Sequence, residues 1–327
     1  MYLSHGSQVR ILLTNNCNLN CLHCYQGGEK RGISLSWEQL QKIVTYLKKE
    51  EVDTVVLSGG EVFVYNRIYE LLDLLLTDCG FRILIVTNGT VIDTGFFERN
   101  RNFRDRITFQ FSIDGSEKNH DLRRGCGTYS KAIKNAEVLS ASGYIIKANM
   151  AVDETNWRDM VTLINDRRFS SVSFIPVANL GNARKTGGRN SGSYDSSIIR
   201  LYRETEAGNL SSPFFPDVLA ISFDGNVYPS FPAQDFHVLN MGNITSEPIE
   251  RIVSEYIGSD QYRRICSREN YICNSCEKFN ECRGGSRERA YRAFSDVWAV
   301  DPLCCRLFLD EYRDIPLSSL FCGEILE

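Results

Sequence analysis

The 327-residue sequence predicts an α/β chain, with a partial (β/α)6 TIM-like barrel over about residues 1–177 followed by a small C-terminal α+β domain. Three observations predict it. Six strand-like runs between residues 9 and 177 are each joined to the next by a helical segment, which implies parallel pairing through right-handed crossovers. The polar and glycine-rich stretches NNCNLNC, SGGE, TNG and SIDG sit at the C-terminal ends of strands, the face where parallel barrels assemble their sites. After Val177 the composition changes. A doubly wound open sheet fits the alternation as well; the placement of the polar stretches favours the barrel.

The elements follow in order. VRILL (9–13) is an apolar run of strand length, and a helix follows over about 36–50, opened by Ser36 with Gln39 three residues on, a capping-box pattern. TVVLSGGE (54–61) is a strand ending in two glycines, and RIYELLDLLLT (67–77) has the spacing of an amphipathic helix. Strand RILIVTNG (82–89), a short helix near 94–100 and strand RITFQFSIDG (106–115) come next. Helix 129–141, strand YIIKANMAV (144–152), helix 155–166 and strand SVSFIPV (171–177) complete the six. Residues 178–197 are rich in Gly, Ser, Asn and Arg and read as a loop or linker, with a helix over 197–208. Two short strands around Asp224–Gly225 form a hairpin, and IERIVSEYI (249–257) is a helix. The expected boundaries are therefore 1–177 for the barrel, 178–210 for a loop and bridging helix, and 211–327 for the C-terminal domain.

Composition narrows the function. With 43% hydrophobic and 24% charged residues the chain is neither disordered nor collagen-like, and a net charge of −4 argues against a general nucleic-acid-binding surface. No run reaches the roughly 18 apolar residues of a membrane span, and no secretory signal pattern opens the chain, so a cytoplasmic protein is expected. In that reducing compartment twelve cysteines point to metal or redox chemistry rather than disulfides. Three lie at 17–24, Cys79 and Cys126 are isolated, and seven fall between 266 and 322. Two clusters imply two metal sites.

The first cluster is C-x3-C-x2-C: Cys17, Cys21 and Cys24. A structural zinc site takes four ligands, and only His5 and His23 are at hand for the fourth. Three thiolates suit a 4Fe-4S cluster with one iron left open to substrate or cofactor. Singly, Gly59 and Gly60 read as a strand-end turn, Ser112 and Asp114 as turn residues, and Arg124 as a surface residue. Their order changes the reading. C-x3-C-x2-C followed by Tyr25, then SGGE (58–61), TNG (87–89), SIDG (112–115) and HDLRRGCGTY (120–129), resembles the radical S-adenosylmethionine (SAM) superfamily over about residues 9–177.

The resemblance implies a 4Fe-4S cluster on Cys17, Cys21 and Cys24, and SAM held by Tyr25, Gly59, Gly60, Glu61, Asn88, Ser112, Asp114 and Arg124. Val62 stands where the family's GGEP motif has proline. It also implies reductive cleavage of SAM to a 5′-deoxyadenosyl radical, hydrogen abstraction from carbon, and an electron donor such as flavodoxin or ferredoxin. The protein's part is to orient the reactants and exclude water. Cys126, beside Arg124 in sequence, is a candidate hydrogen donor to a substrate radical; an inert small residue is the plainer reading.

The second cluster, CNSCEKFNECRGGS (273–286) with Cys304 and Cys305, suits Zn²⁺ or a 4Fe-4S cluster equally on spacing. It resembles the SPASM extension of radical SAM enzymes, which usually carries two auxiliary clusters. Ser230, Glu247 and Ser286 stand where that extension has cysteines for the first of them. Cys273, Cys276, Cys282 and Cys304 remain for the second, with Cys305 an alternative fourth ligand. Two 4Fe-4S clusters in all are thus expected. The SPASM branch implies a ribosomally made peptide as substrate, modified by crosslinking, epimerisation or oxidation. No peptide-binding domain fits ahead of Cys17, so a separate recognition protein or a short direct contact is expected. A small-molecule dehydrogenase or mutase is the alternative enzyme, and a metal-dependent binding or electron-transfer protein the alternative outside catalysis. Neither nucleic acid nor membrane is an expected partner.

Overall fold

The structure is a computed structural model that describes residues 7–27, 32–78, 80–153, 155–177, 182, 218–229 and 239–267, with the isolated positions 275, 296, 298 and 299. Six parallel strands follow one another in sequence order across the sheet: β1 (Gln8–Leu12), β2 (Thr54–Ser58), β3 (Arg82–Thr87), β4 (Ile107–Ser112), β5 (Ile145–Val152) and β6 (Val172–Pro176). The crossovers carry α1 (Trp37–Lys49), α2 (Ile68–Asp73), α3 (Thr94–Arg99), α4 (Glu117–Arg124), α5 (Thr128–Ala141) and α6 (Met160–Ile164). Six parallel strands in unbroken sequence order match a partial barrel, whereas a doubly wound sheet reverses after its first few strands.

Local chemistry sets the helix starts. Ser36 and Gln39 form the capping box the sequence announces: the Gln39 N–H donates to Ser36 Oγ at 3.2 Å and the Ser36 N–H to Gln39 Oε1 at 2.7 Å. The helix expected over 67–77 is shorter, because after Asp73 the chain takes a π-helical turn, Leu74–Asp78. HDLRRG lies largely within α4, a helix the sequence reading left out.

Along β3, β4 and β5 burial alternates with the pleat. Ile83, Ile85, Phe109, Phe111, Ile146, Ala148 and Met150 face the helices and join one core with Leu40, Leu71, Phe97 and Leu139. Leu84, Val86, Thr108, Gln110, Ser112, Lys147, Asn149 and Ala151 point to the other, concave face.

The sheet runs beyond the six strands. The hairpin expected around Asp224–Gly225 adds to it. β7 (Val218–Ile221) pairs in parallel with β1, and β8 (Asn226–Tyr228) and β9 (Gly242–Asn243) continue antiparallel, so the order is β6-β5-β4-β3-β2-β1-β7-β8-β9. The cause is the open edge of β1. Val9 and Ile11 are fully buried, and a strand so placed with unpaired N–H and C=O groups is costly unless another covers it. Two helices, α7 (Ile249–Gly258) and α8 (Asp260–Ser267), follow. The helix expected at 197–208 lies outside the described residues.

Candidate functional site at the C-terminal ends of the strands

The cysteines occupy the loop that leaves β1. Two of its three sulfurs, those of Cys17 and Cys21, are met by N–H groups. The Leu19 N–H donates to Cys17 Sγ at 3.4 Å, Asn88 Nδ2 lies 3.9 Å from the same sulfur, and Arg124 Nη1 lies 3.9 Å from Cys21 Sγ. Burial pushes the Cys17 thiol up to about 11 and raises Cys21 as well, with Arg124 pulling Cys21 the other way. Thiolates here need a cation to offset the lost hydration. Among the described residues no three His, Cys, Asp or Glu side chains gather closely enough to hold a single metal ion. Three soft thiols spread along one loop, with N–H donors aimed at two of the sulfurs, fit a polynuclear iron–sulfur cluster better than a lone zinc.

The SGGE segment positions that loop. The Gly60 N–H donates to Thr14 O at 2.7 Å and the Glu61 N–H to Asn16 O at 2.9 Å. A Cβ on Gly60 would stand 2.2 Å from Asn16 O, and one on Gly59, at φ +138, 2.5 Å from Thr14 O. Both glycines are therefore required by the close approach of β2's end to the cysteine loop. Gly60→Ala should cost about 1–3 kcal/mol of stability by overpacking and lower the iron bound on reconstitution severalfold, measured by chemical unfolding and iron assay. The Glu61 carboxylate, 1% exposed, accepts from Thr87 Oγ1 at 2.7 Å, the Asn88 N–H at 2.7 Å and the Phe63 N–H at 3.2 Å. It ties β2 to β3. Asn88 continues the tie, donating to Asn18 Oδ1 at 2.9 Å.

Asp114, fully buried, is the hub of the other side. Arg124 donates to both its oxygens, at 2.8 and 3.1 Å, and Arg123 Nε lies at 3.4 Å. His23 Nε2 lies 3.4 Å away, and the Ala151 N–H donates at 3.0 Å. Burial alone would raise this carboxyl, but Arg124, His23 and Arg123 together hold it well below the usual carboxylate range. Burial drives His23 down to about 3, so it is neutral, and the charge balance is two guanidiniums against Asp114 and Asp153, the second partner of Arg123. His23 thus turns its Nε2 to Asp114, while its Nδ1 is buried with no hydrogen-bond partner among the described residues. The HDLRRG residues divide their work. His120 Nδ1 accepts from the Asp114 N–H at 3.2 Å, Asp121 accepts from the N–H groups of Gly127 and Tyr129 at the start of α5, and Arg124 clamps Asp114.

Register brings together residues the sequence reading missed. Ser112 lies opposite Asn149 on β5, and Asn149 opposite Ser173 on β6, one polar row on the concave face at the strand ends. Asn149 Oδ1 is buried with no hydrogen-bond partner among the described residues, an acceptor left for a bound group. Gln110 and Lys147 form the row below. The signal was present in YIIKANMAV, where Lys147 and Asn149, two positions apart, break an otherwise apolar strand.

Tyr25, the remaining SAM candidate, is half-buried beside the loop, and its hydroxyl accepts from Gln26 Nε2 at 3.1 Å. Cys126 is exposed and lines a cavity of about 530 Å³ shared with Asn18, Asn20 and Leu22 of the cysteine loop. Glu247 pairs with Arg251 at 3.7 Å on α7, a structural place. Cys79, Cys273, Cys276, Cys282, Cys304, Cys305, Cys322, Ser230 and Ser286 lie outside the described residues. Among those described, no helix is long and apolar enough to cross a membrane.

Comparison with known proteins matches residues 11–166 to the Radical SAM superfamily. The subtilosin biosynthesis protein AlbA of Bacillus subtilis is 30% identical over 178 residues, 53% of this chain and 40% of that protein, so the chain spans less than half the length of this relative. The AdoMet-dependent heme synthase of Methanosarcina barkeri is 24% identical over 344 residues, covering 89% of this chain and 94% of that one. Among solved structures, anSMEcpe with bound AdoMet and Cp18Cys peptide superposes with a TM-score of 0.71 at 18% identity, covering 96% of this chain and 97% of that one, a likeness of fold.

Proposed function

We propose that this chain, whose residues 11–166 are a radical SAM domain, is an iron–sulfur enzyme that cleaves SAM reductively and abstracts hydrogen from a carbon of a ribosomally made peptide. The observation that carries the reading is the cysteine loop itself: three thiols in C-x3-C-x2-C spacing, with N–H donors aimed at Cys17 and Cys21. A 4Fe-4S cluster held by Cys17, Cys21 and Cys24 would supply the single electron that reductive cleavage of SAM consumes.

The chain's own residues do the rest. Cys17, Cys21 and Cys24 hold the cluster. Arg124, already paired to Asp114, keeps one nitrogen toward Cys21 Sγ and offsets its charge in a buried site, where such a pairing is worth more than in water. Asn149 and Ser112 offer hydrogen-bond partners to SAM on the concave face, and Tyr25 and the Gly59–Gly60 backbone line its approach. Glu61 and Asn88 keep the strand ends and the cysteine loop in register. A second 4Fe-4S cluster on Cys273, Cys276 and Cys282 with Cys304 or Cys305 belongs to the C-terminal part of the chain, where zinc is the competing occupant.

The peptide reading draws on the likeness to the bacteriocin biosynthesis protein AlbA and to the anSMEcpe fold with its bound peptide. A small-molecule substrate is the second reading, favoured by the heme synthase whose length the match nearly spans. The test is anaerobic reconstitution followed by SAM and a chemical reductant. Release of 5′-deoxyadenosine supports the enzyme reading, and its absence from iron-loaded protein sinks it. Deuterium transfer from a labelled precursor peptide into 5′-deoxyadenosine separates the peptide from the small molecule.

A further inference from the structure

Exposed apolar side chains are scattered over most of the surface, but three of them share one place. Leu22 (48% exposed), Val91 (42%) and Leu122 (67%) all line the cavity of about 530 Å³ beside the cysteine loop. Single exposed leucines are ordinary, whereas several around one concavity mark a docking surface. The wall they share is made by the residues between the cysteines. Asn18 and Asn20 face the cavity while Cys17 and Cys21 do not, and Asn18 is fixed to the far wall through Thr90 Oγ1 at 2.8 Å. Whatever sits in the cavity is therefore separated from the thiols by the thickness of a single loop.

The charges indicate the occupant. No Asp or Glu lines the cavity. Arg123 and Arg124 beneath it are spent on Asp114 and Asp153. Lys131 at the rim is exposed with no partner among the described residues, and Lys134, also exposed, stands on the same face of α5. An apolar centre with a cationic rim fits a small acidic protein, held by a small interface and steered by charge, as electron-transfer encounters are.

We propose that this cavity is the docking face for an acidic one-electron carrier protein, which reduces the cluster through the Asn18–Leu22 wall. The proposal rests on the radical SAM reading above, since that chemistry consumes an electron the chain does not itself supply. In the step, the carrier loses one electron and the cluster gains one; no bond forms or breaks and no proton moves.

The experiment uses the reconstituted full chain and two sources of electrons: reduced flavodoxin, and photoreduced deazaflavin, a small molecule that needs no docking face. Leu122→Glu and Lys131→Glu are compared with wild type. Expected are at least a tenfold slower reduction of the cluster by flavodoxin for Leu122→Glu, a severalfold loss for Lys131→Glu, and a wild-type rate that falls with added salt. Binding of oxidised flavodoxin by titration calorimetry weakens in parallel, while deazaflavin-driven 5′-deoxyadenosine release is unchanged. Unchanged flavodoxin rates in both variants overturn the proposal. So does an equal loss with both reductants, which means the substitutions act through the fold. Loss of precursor-peptide binding with flavodoxin rates intact makes the face a peptide site instead and overturns it too. If wild type releases no 5′-deoxyadenosine even with deazaflavin, the proposed function fails first and the docking face falls with it.

Discussion

Asp114→Asn is expected to lower the unfolding free energy of the full chain by about 3–5 kcal/mol, the cost of removing one partner from a buried ion pair and leaving the others uncompensated. Asp114 is fully buried and touches Arg123, Arg124 and His23, and its backbone N–H is held by His120. The amide keeps the shape but not the charge, so two guanidiniums are left with Asp153 alone. Burial pushes the Asp114 carboxyl up, and its cationic partners more than reverse that, so its folded-state pKa is depressed. A depressed carboxylate contributes stability that is fully present above its unfolded pKa of about 3.9 and lost as pH falls through the folded value. The gap between wild type and Asp114→Asn should then be constant from pH 7 to about pH 4 and narrow below it. Chemical unfolding at several pH values measures this. A gap under about 1 kcal/mol at pH 7 would mean the arginines find other partners and the hub is not structural.

The second large effect is chemical. Replacing Cys17, Cys21 and Cys24 together by alanine should abolish 5′-deoxyadenosine release to background while far-ultraviolet circular dichroism stays as in wild type. About four irons should be lost with them. What remains decides the C-terminal domain. A residual four irons or so with a reducible electron paramagnetic resonance signal identifies a second 4Fe-4S cluster on the cysteines after 273. Zinc in their place makes that domain a structural zinc module, without touching the reading of the first site.

Much of the fold was legible because it is written in local patterns. The capping box at Ser36, the alternating apolar runs and the glycines at strand ends depend on neighbours within a few residues, and each appears where the sequence puts it. The pairing of β7 with β1 was not legible, since a short hairpin strand fits any open edge, and only the assembled sheet shows which edge is open.

The site divides the same way. The sequence by itself determined the chemistry on offer: three thiols on one loop, two glycines at the end of β2, and an HDLRRG segment after β4. Tertiary structure decided what each residue does. Gly60 is required by the oxygen of Asn16, 44 positions before it, and Glu61 is spent on Thr87 and Asn88. Asp114 gathers His23, Arg123 and Arg124, and Asn149 stands beside Ser112 because β4 and β5 pair in that register. A motif records which side chains a fold must supply; which of them remain free to meet a ligand depends on buried partners brought in from other strands, where every polar group must be paired or pay for its lost water.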